Sequence, residues 1–99
     1  MFLSIITVNK NSGKSFLKTE KNLISILDEF KEIEWIIIDS KSTDYSGKKI
    51  IDLKNNIHKN NLKIIIENDE GIYYAMNKGI YHANSKFILF INSGDSINR

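Results

Sequence analysis

Apolar residues along this chain fall into short unbroken runs separated by longer stretches in which they recur every three or four positions. The first run, residues 1–8 (MFLSIITV), reads as a strand. After it, Phe16, Leu23, Leu27 and Phe30 share one stripe opposite lysines and glutamates, which predicts an amphipathic helix lying on a sheet. Ile50, Leu53 and Ile57 predict a second helix, and Ile72, Ala75, Met76, Gly79, Ile80 and Ala83 a third. The intervening runs 35–38 (WIII), 64–66 (III) and 87–91 (FILFI) are continuous rather than alternating. Strands of a parallel sheet need that pattern, because helices cover both of its faces. The element order β-α-β-α-β-α-β predicts a Rossmann-like α/β domain with right-handed crossovers.

Polar residues then follow each strand. Thr7 and Asn9 end the first, Asp39 the second, Glu67 and Asp69 the third, and residues 92–95 (NSGD) the fourth. In open α/β sheets, ligands bind outside the carboxyl ends of the strands, where strand order reverses. Four polar sets at one edge therefore predict a ligand crevice there. Gly71, directly after the acidic stretch, supplies a position that tolerates positive φ or close backbone approach. The carboxylates before it also read as a cap that complements a helix dipole.

Composition narrows the classes of partner. At 99 residues the chain is expected to form one domain, 1–99, around one core. A net charge of +2, with 41% hydrophobic and 26% charged residues, describes an ordinary globular protein and gives no basic field for nucleic acid. With no cysteine, disulfides and thiolate metal sites are excluded. His58 and His82 are far apart in sequence and are expected on solvated helix faces. No apolar run approaches the roughly 20 residues of a membrane span, and the first run lacks the basic flank of a signal peptide.

Three common phosphate-binding designs fail on spacing. Gly13-Lys14-Ser15 mimics the end of a P-loop, but its first glycine would have to stand at Val8. A dinucleotide fingerprint needs three spaced glycines after the first strand, and residues 9–15 hold only Gly13. A receiver-type signalling module needs an acidic pair at the end of that strand, where Asn9 and Asn11 stand. Carboxylates after the second and fourth strands suit instead a nucleoside diphosphate whose charge is carried by Mg²⁺ or Mn²⁺.

Four segments, SIITVNKN, EWIIIDSKSTD, ENDEGIYYAMNKGI and FILFINSGD, resemble in order and spacing the donor-binding half of family 2 glycosyltransferases of the A-type fold. The last two resemble the branch that builds bacterial surface polysaccharides. The resemblance implies a parallel sheet ordered 3-2-1-4. It also implies transfer of a sugar, UDP-linked in the commonest case, with inversion to a polysaccharide or glycolipid acceptor. By the same resemblance Thr7 and Val8 line the nucleoside pocket beside Asn9, and Asp39 accepts from the base. Asp69 opens the third motif, Asn77 faces the donor, and Asp95 is the metal-binding acid. Asp44 either caps the second helix or touches ligand.

Departures from the pattern are Asn92 at the earlier metal position, Tyr74 in place of an aspartate, Ser40 and Tyr45 in place of glycines, and Lys10 in place of an aromatic. The family's general base lies in a second half, beyond Arg99. These residues are therefore expected to bind donor without turnover, as a fragment of a longer enzyme or a natural truncation. A non-catalytic nucleotide-binding module of the same fold is the alternative. The expected location is cytoplasmic or peripheral at the inner face of the membrane. Residues 86–91 are expected to mediate self-association, because the run is apolar and its only nearby charge is Lys86.

Overall fold

A computed structural model describes residues 1–68 and 70–98. Strands β1 (Leu3–Asn9), β2 (Ile33–Asp39), β3 (Leu62–Ile66) and β4 (Phe87–Phe90) alternate with helices α1 (Phe16–Glu29), α2 (Tyr45–Asn56) and α3 (Ile72–His82). A 3-10 turn, Gly13–Ser15, leads into α1. All pairings are parallel and the sheet order is β3-β2-β1-β4, so the expected α/β architecture and order both hold. The chain winds outward through β2 to β3, and α3 then carries it back to the far side of β1. Strand order therefore reverses between β1 and β4.

Pleat alternation divides the core in two. On one face Ile5, Trp35 and Ile37 meet Phe16, Leu23, Ile26 and Leu27 of α1 and Ile50 and Leu53 of α2. Phe16 and Trp35 stack at 6.1 Å. On the other face Ile6, Ile36 and Ile38 meet Ala75 of α3. That side is thin because α3 approaches through small residues: Ala75 and Gly79 are buried, while Ile72 and Ile80 remain 58% and 45% exposed. The apolar stripe on α3 is thus wider than its contact with the sheet. A side chain at Gly79 would put its Cβ 2.5 Å from Ile6 Cγ2. Ile57 is the exposed C-cap of α2, while Phe30, the C-cap of α1, packs half-buried against the core as its stripe predicts.

Both histidines lie at helix ends, and only the second lies within a helix as expected. His58 falls beyond the end of α2 and is exposed, while His82 ends α3 with its ring edge-on to Tyr81.

β2 starts two residues earlier than the apolar run because Ile33 and Glu34 pair with Leu3 and Ser4. Glu34 is 1% exposed near the amino edge of the sheet. Its carboxylate accepts from Ser4 Oγ (2.5 Å), the Asn84 N–H (2.8 Å) and Ser85 Oγ (3.3 Å), and Lys63 Nζ lies 3.1 Å away. Burial alone would raise its pKa. Hydrogen bonds from Ser4, Asn84 and Lys63 outweigh that effect and hold the carboxyl below its ordinary value. The cluster ties the α3–β4 connection to β1 and β2.

Candidate functional site at the carboxyl edge

β1 and β2 end side by side at Asn9 and Asp39, and what each contributes depends on pleat phase. Val8 faces the α3 side, whereas Thr7 and Asn9 face the α1–α2 side. Successive strand residues point to opposite faces, so Thr7 and Val8 cannot line one pocket. Thr7 is fully buried and accepts the Trp35 indole N–H at 3.0 Å. That corrects its expected place beside the nucleoside.

Asn9, 1% exposed, joins three loops through one amide. Its Nδ2 donates to Asp39 Oδ1 (2.9 Å) and Ser46 Oγ (3.0 Å), with Ser42 Oγ at 3.3 Å. Its Oδ1 accepts from Ser12 Oγ (2.6 Å) and Ser93 Oγ (2.7 Å). Asp39, also 1% exposed, accepts in addition from the Ser42 hydroxyl (2.7 Å) and the Ser42 N–H (3.0 Å). Both side chains therefore lie beneath the edge as its frame, engaged by protein groups.

Asp44 resolves to the capping role. Its carboxylate accepts from Gly47 N–H at the start of α2, from Ser46 Oγ (2.7 Å) and from Gly13 N–H (2.7 Å). The Ser46 hydroxyl foremost, followed by the Gly13 and Gly47 amides against a partial opposing effect of burial, keeps its pKa below the usual value. Lys41 and Asn11 take positive φ in these loops. Asn11 is locked there by accepting from Thr43 N–H (2.9 Å).

Above this frame lies a recess of about 260 Å³ lined by Val8, Lys10, Ser40, Gly71 and Ile72. Gly71 is the N-cap of α3 with φ +123°, so the expected positive φ is present. Among the described residues no carboxylate caps that helix, and Asp69 of the expected acidic cap lies outside them. Glu67 instead pairs with Lys78 at 3.1 Å. Larger hollows exist, such as one of about 330 Å³ along Lys54, His58 and Leu62. That one lies at the amino edge, away from the converging polar residues.

The turn after β4 is held from α1. Thr19 Oγ1, fully buried, donates to the Asp95 carbonyl (2.7 Å) and accepts from Gly94 N–H (2.8 Å). Gly94 adopts φ +103°. The Asp95 side chain is exposed and partnered with none of the described residues. No group of three His, Cys, Asp or Glu side chains converges among the described residues. The exposed Asp95 carboxylate is nevertheless a hard oxygen donor of the kind that Mg²⁺ or Mn²⁺ takes alongside the oxygens of a diphosphate.

Asn77 stands on the exposed side of α3, two residues from both Ala75 and Gly79, which places it away from the sheet and this edge. Asp69 lies outside the described residues. Sequence reasoning did not assign the serines and Thr19 that carry the network. Their signal was the density of hydroxyl residues in segments 40–46 and 12–15.

An open, doubly wound parallel sheet ordered 3-2-1-4, with helices on both faces, is the fold of the A-type glycosyltransferases. Residues 4–98 match the model of Glycosyl transferase family 2, and the chain belongs to that family. S. aureus TarS 1-349 in complex with UDP-GlcNAc superposes with a TM-score of 0.79 at 28% identity over 99% of this chain and 28% of that one. TarS 1-349 alone gives 0.78 at the same identity, covering 29% of its length. The mannosyltransferase PcManGT from Pyrobaculum calidifontis, in complex with GDP-Man and Mn²⁺, shares the fold with a TM-score of 0.79 at 19% identity over 95% of this chain and 28% of that one. The chain thus spans under a third of the length of these structures. No curated protein matches it.

Proposed function

We propose that this domain holds the nucleotide-sugar donor of a glycosyltransferase, a UDP-linked sugar, for transfer with inversion to a polysaccharide or glycolipid acceptor. The observation that carries the reading is the recess at the carboxyl edge, open between the ends of β1 and β2 and the N-terminus of α3. Val8 and Ile72 offer apolar contact to a base and ribose, Ser40 and the Gly71 backbone offer polar groups, and Lys10 brings a cation to the rim. Asn9 and Asp39 brace the ends of β1 and β2 from the α1–α2 side. Asp95 would hold a divalent ion, which when bound offsets the charge of the departing nucleoside diphosphate. The TarS complex with UDP-GlcNAc supports the uridine choice, and the PcManGT complex supports the metal. Among the described residues no helix is long and apolar enough to cross a membrane. We place the domain in the cytoplasm or at the inner membrane face, where nucleotide sugars and lipid-linked acceptors meet.

Calorimetry with UDP and Mn²⁺ tests the reading. Binding is expected at sub-millimolar to millimolar concentration. Ser40→Phe, which fills the recess, and Lys10→Glu, which reverses the rim charge, are each expected to weaken it about tenfold, or about 1.4 kcal/mol. Binding that neither change alters would place the nucleotide elsewhere.

A further inference from the structure

We infer that Asn9 is a positioning residue that sets the metal loop after β4 from the buried frame on the α1–α2 side of the carboxyl edge, acting through Ser93. The inference rests on the donor-site reading above and adds a coupling to it. Asn9 is the one described side chain whose hydrogen bonds reach the loops after β1, β2 and β4 together, through Ser12, through Asp39, Ser42 and Ser46, and through Ser93.

Its amide is oriented by its partners: Nδ2 donates to Asp39 Oδ1 and Ser46 Oγ, and Oδ1 accepts from the Ser12 and Ser93 hydroxyls. At 1% exposure, water does not compete for these bonds. Ser93 lies two residues before Asp95, in a turn where the Asp95 N–H donates to the Asn92 carbonyl at 3.0 Å. Thr19 grips the same turn from the α1 side. Two buried polar side chains thus hold it at Ser93 and at Gly94–Asp95, while the Asp95 carboxylate stays exposed. A metal ligand needs that arrangement, with the ligand's backbone fixed and its oxygens available.

The network also explains why a single carboxylate can serve. With Asn92 in place of an acid, the loop lacks a second charge to pull it onto an ion. Its position then has to be fixed beforehand by Ser93 and Thr19. Rigid placement of the loop reduces the ordering cost that metal and diphosphate would otherwise meet on binding.

The test separates positioning from general stability and from the donor reading. UDP affinity is measured by calorimetry with Mn²⁺ and with chelator, and the ratio of the two is compared among variants. Ser93→Ala is expected to lower the ratio about tenfold, and Ser93→Thr, which keeps the hydroxyl, to restore it. A purely structural role would lower both affinities together and leave the ratio intact, which would overturn the proposal. Hydrogen exchange at the Gly94 and Asp95 amides tests the clamp with no ligand present. Asn9→Ala and Ser93→Ala should both speed exchange there, and unchanged exchange would sink the inference. If the wild-type chain binds no UDP while exchange responds as expected, the donor reading fails and the clamp stands.

Discussion

Gly79 meets Ile6 so closely that the smallest addition is felt. An alanine there would improve helix propensity by about 1 kcal/mol, but its Cβ would sit 2.5 Å from a branch of a fully buried isoleucine. Overpacking of this kind costs about 2 kcal/mol. The clash therefore wins, and Gly79→Ala should lose about 1 kcal/mol, or roughly 5 °C in Tm for a domain of this size, by thermal denaturation. Glu34 has a larger effect. Removing its carboxylate leaves the Ser4 hydroxyl and the Asn84 N–H without their acceptor, so Glu34→Ala should cost about 2 kcal/mol in urea denaturation. Its folded carboxyl titrates below the ordinary value of 4.5, so the stability it confers is full above that pH and is lost as pH falls through the lower folded value. Glu34→Gln should flatten that part of the acid limb. An acid limb identical to wild type would mean that Asp44 and Asp28, which are also held low, account for it. Gly79 was visible in the sequence as part of a stripe. Glu34 was not visible as a buried group, because the residues that satisfy it, Ser4 and Asn84, lie 30 and 50 residues away.

β4 is the element whose surroundings are least complete. Its four residues are 38% to 53% exposed, and Phe2 packs edge-on against Phe87. Hydrogen bonds from Phe87 N–H to Phe2 and from Ile91 N–H to Ile6 fix which backbone groups face β1. In a parallel ladder the alternate residues, Ile88 and Phe90, then turn theirs outward. An apolar edge with no proline and no internal charge is a template for another strand. We expect the 99-residue chain to self-associate through residues 86–91, with Leu89→Lys shifting it to monomer in sedimentation velocity. A wild-type chain that is monomeric at high concentration would contradict this. At this scale the sequence was largely legible. Continuous apolar runs marked all four strands, and three-to-four spacing marked all three helices. Ends were less so: β2 reaches back to Ile33 because backbone pairing with β1 extends through a charged residue that the apolar pattern does not count.

The whole molecule is a three-layer sheet whose ligand edge is drawn together from segments up to 84 residues apart, as the Asn9–Ser93 bond shows. Which residues follow each strand was readable, and the convergence of Asn9, Asp39 and Asp95 on one edge follows from the alternation alone. Whether each points up into a crevice or down into the frame was not, since that depends on pleat phase and helix rotation at the last residue of each element. Val8 and Ser40 came up, Thr7 and Asp39 went down, and Asn77 turned to solvent. Strand order likewise came from resemblance, because periodicity reports which face is buried and not which strand lies next door. Nuclear magnetic resonance can show whether a nucleoside diphosphate sits over this edge with a metal at Asp95. UDP is titrated with Mg²⁺, and trace Mn²⁺ is then added as a paramagnetic probe. Shifts are expected at Val8, Lys10, Ser40 and Gly71, with line broadening centred on Ser93 to Asp95. Broadening centred on the exposed acids of α1 or α2, with the recess amides unmoved, would contradict that placement.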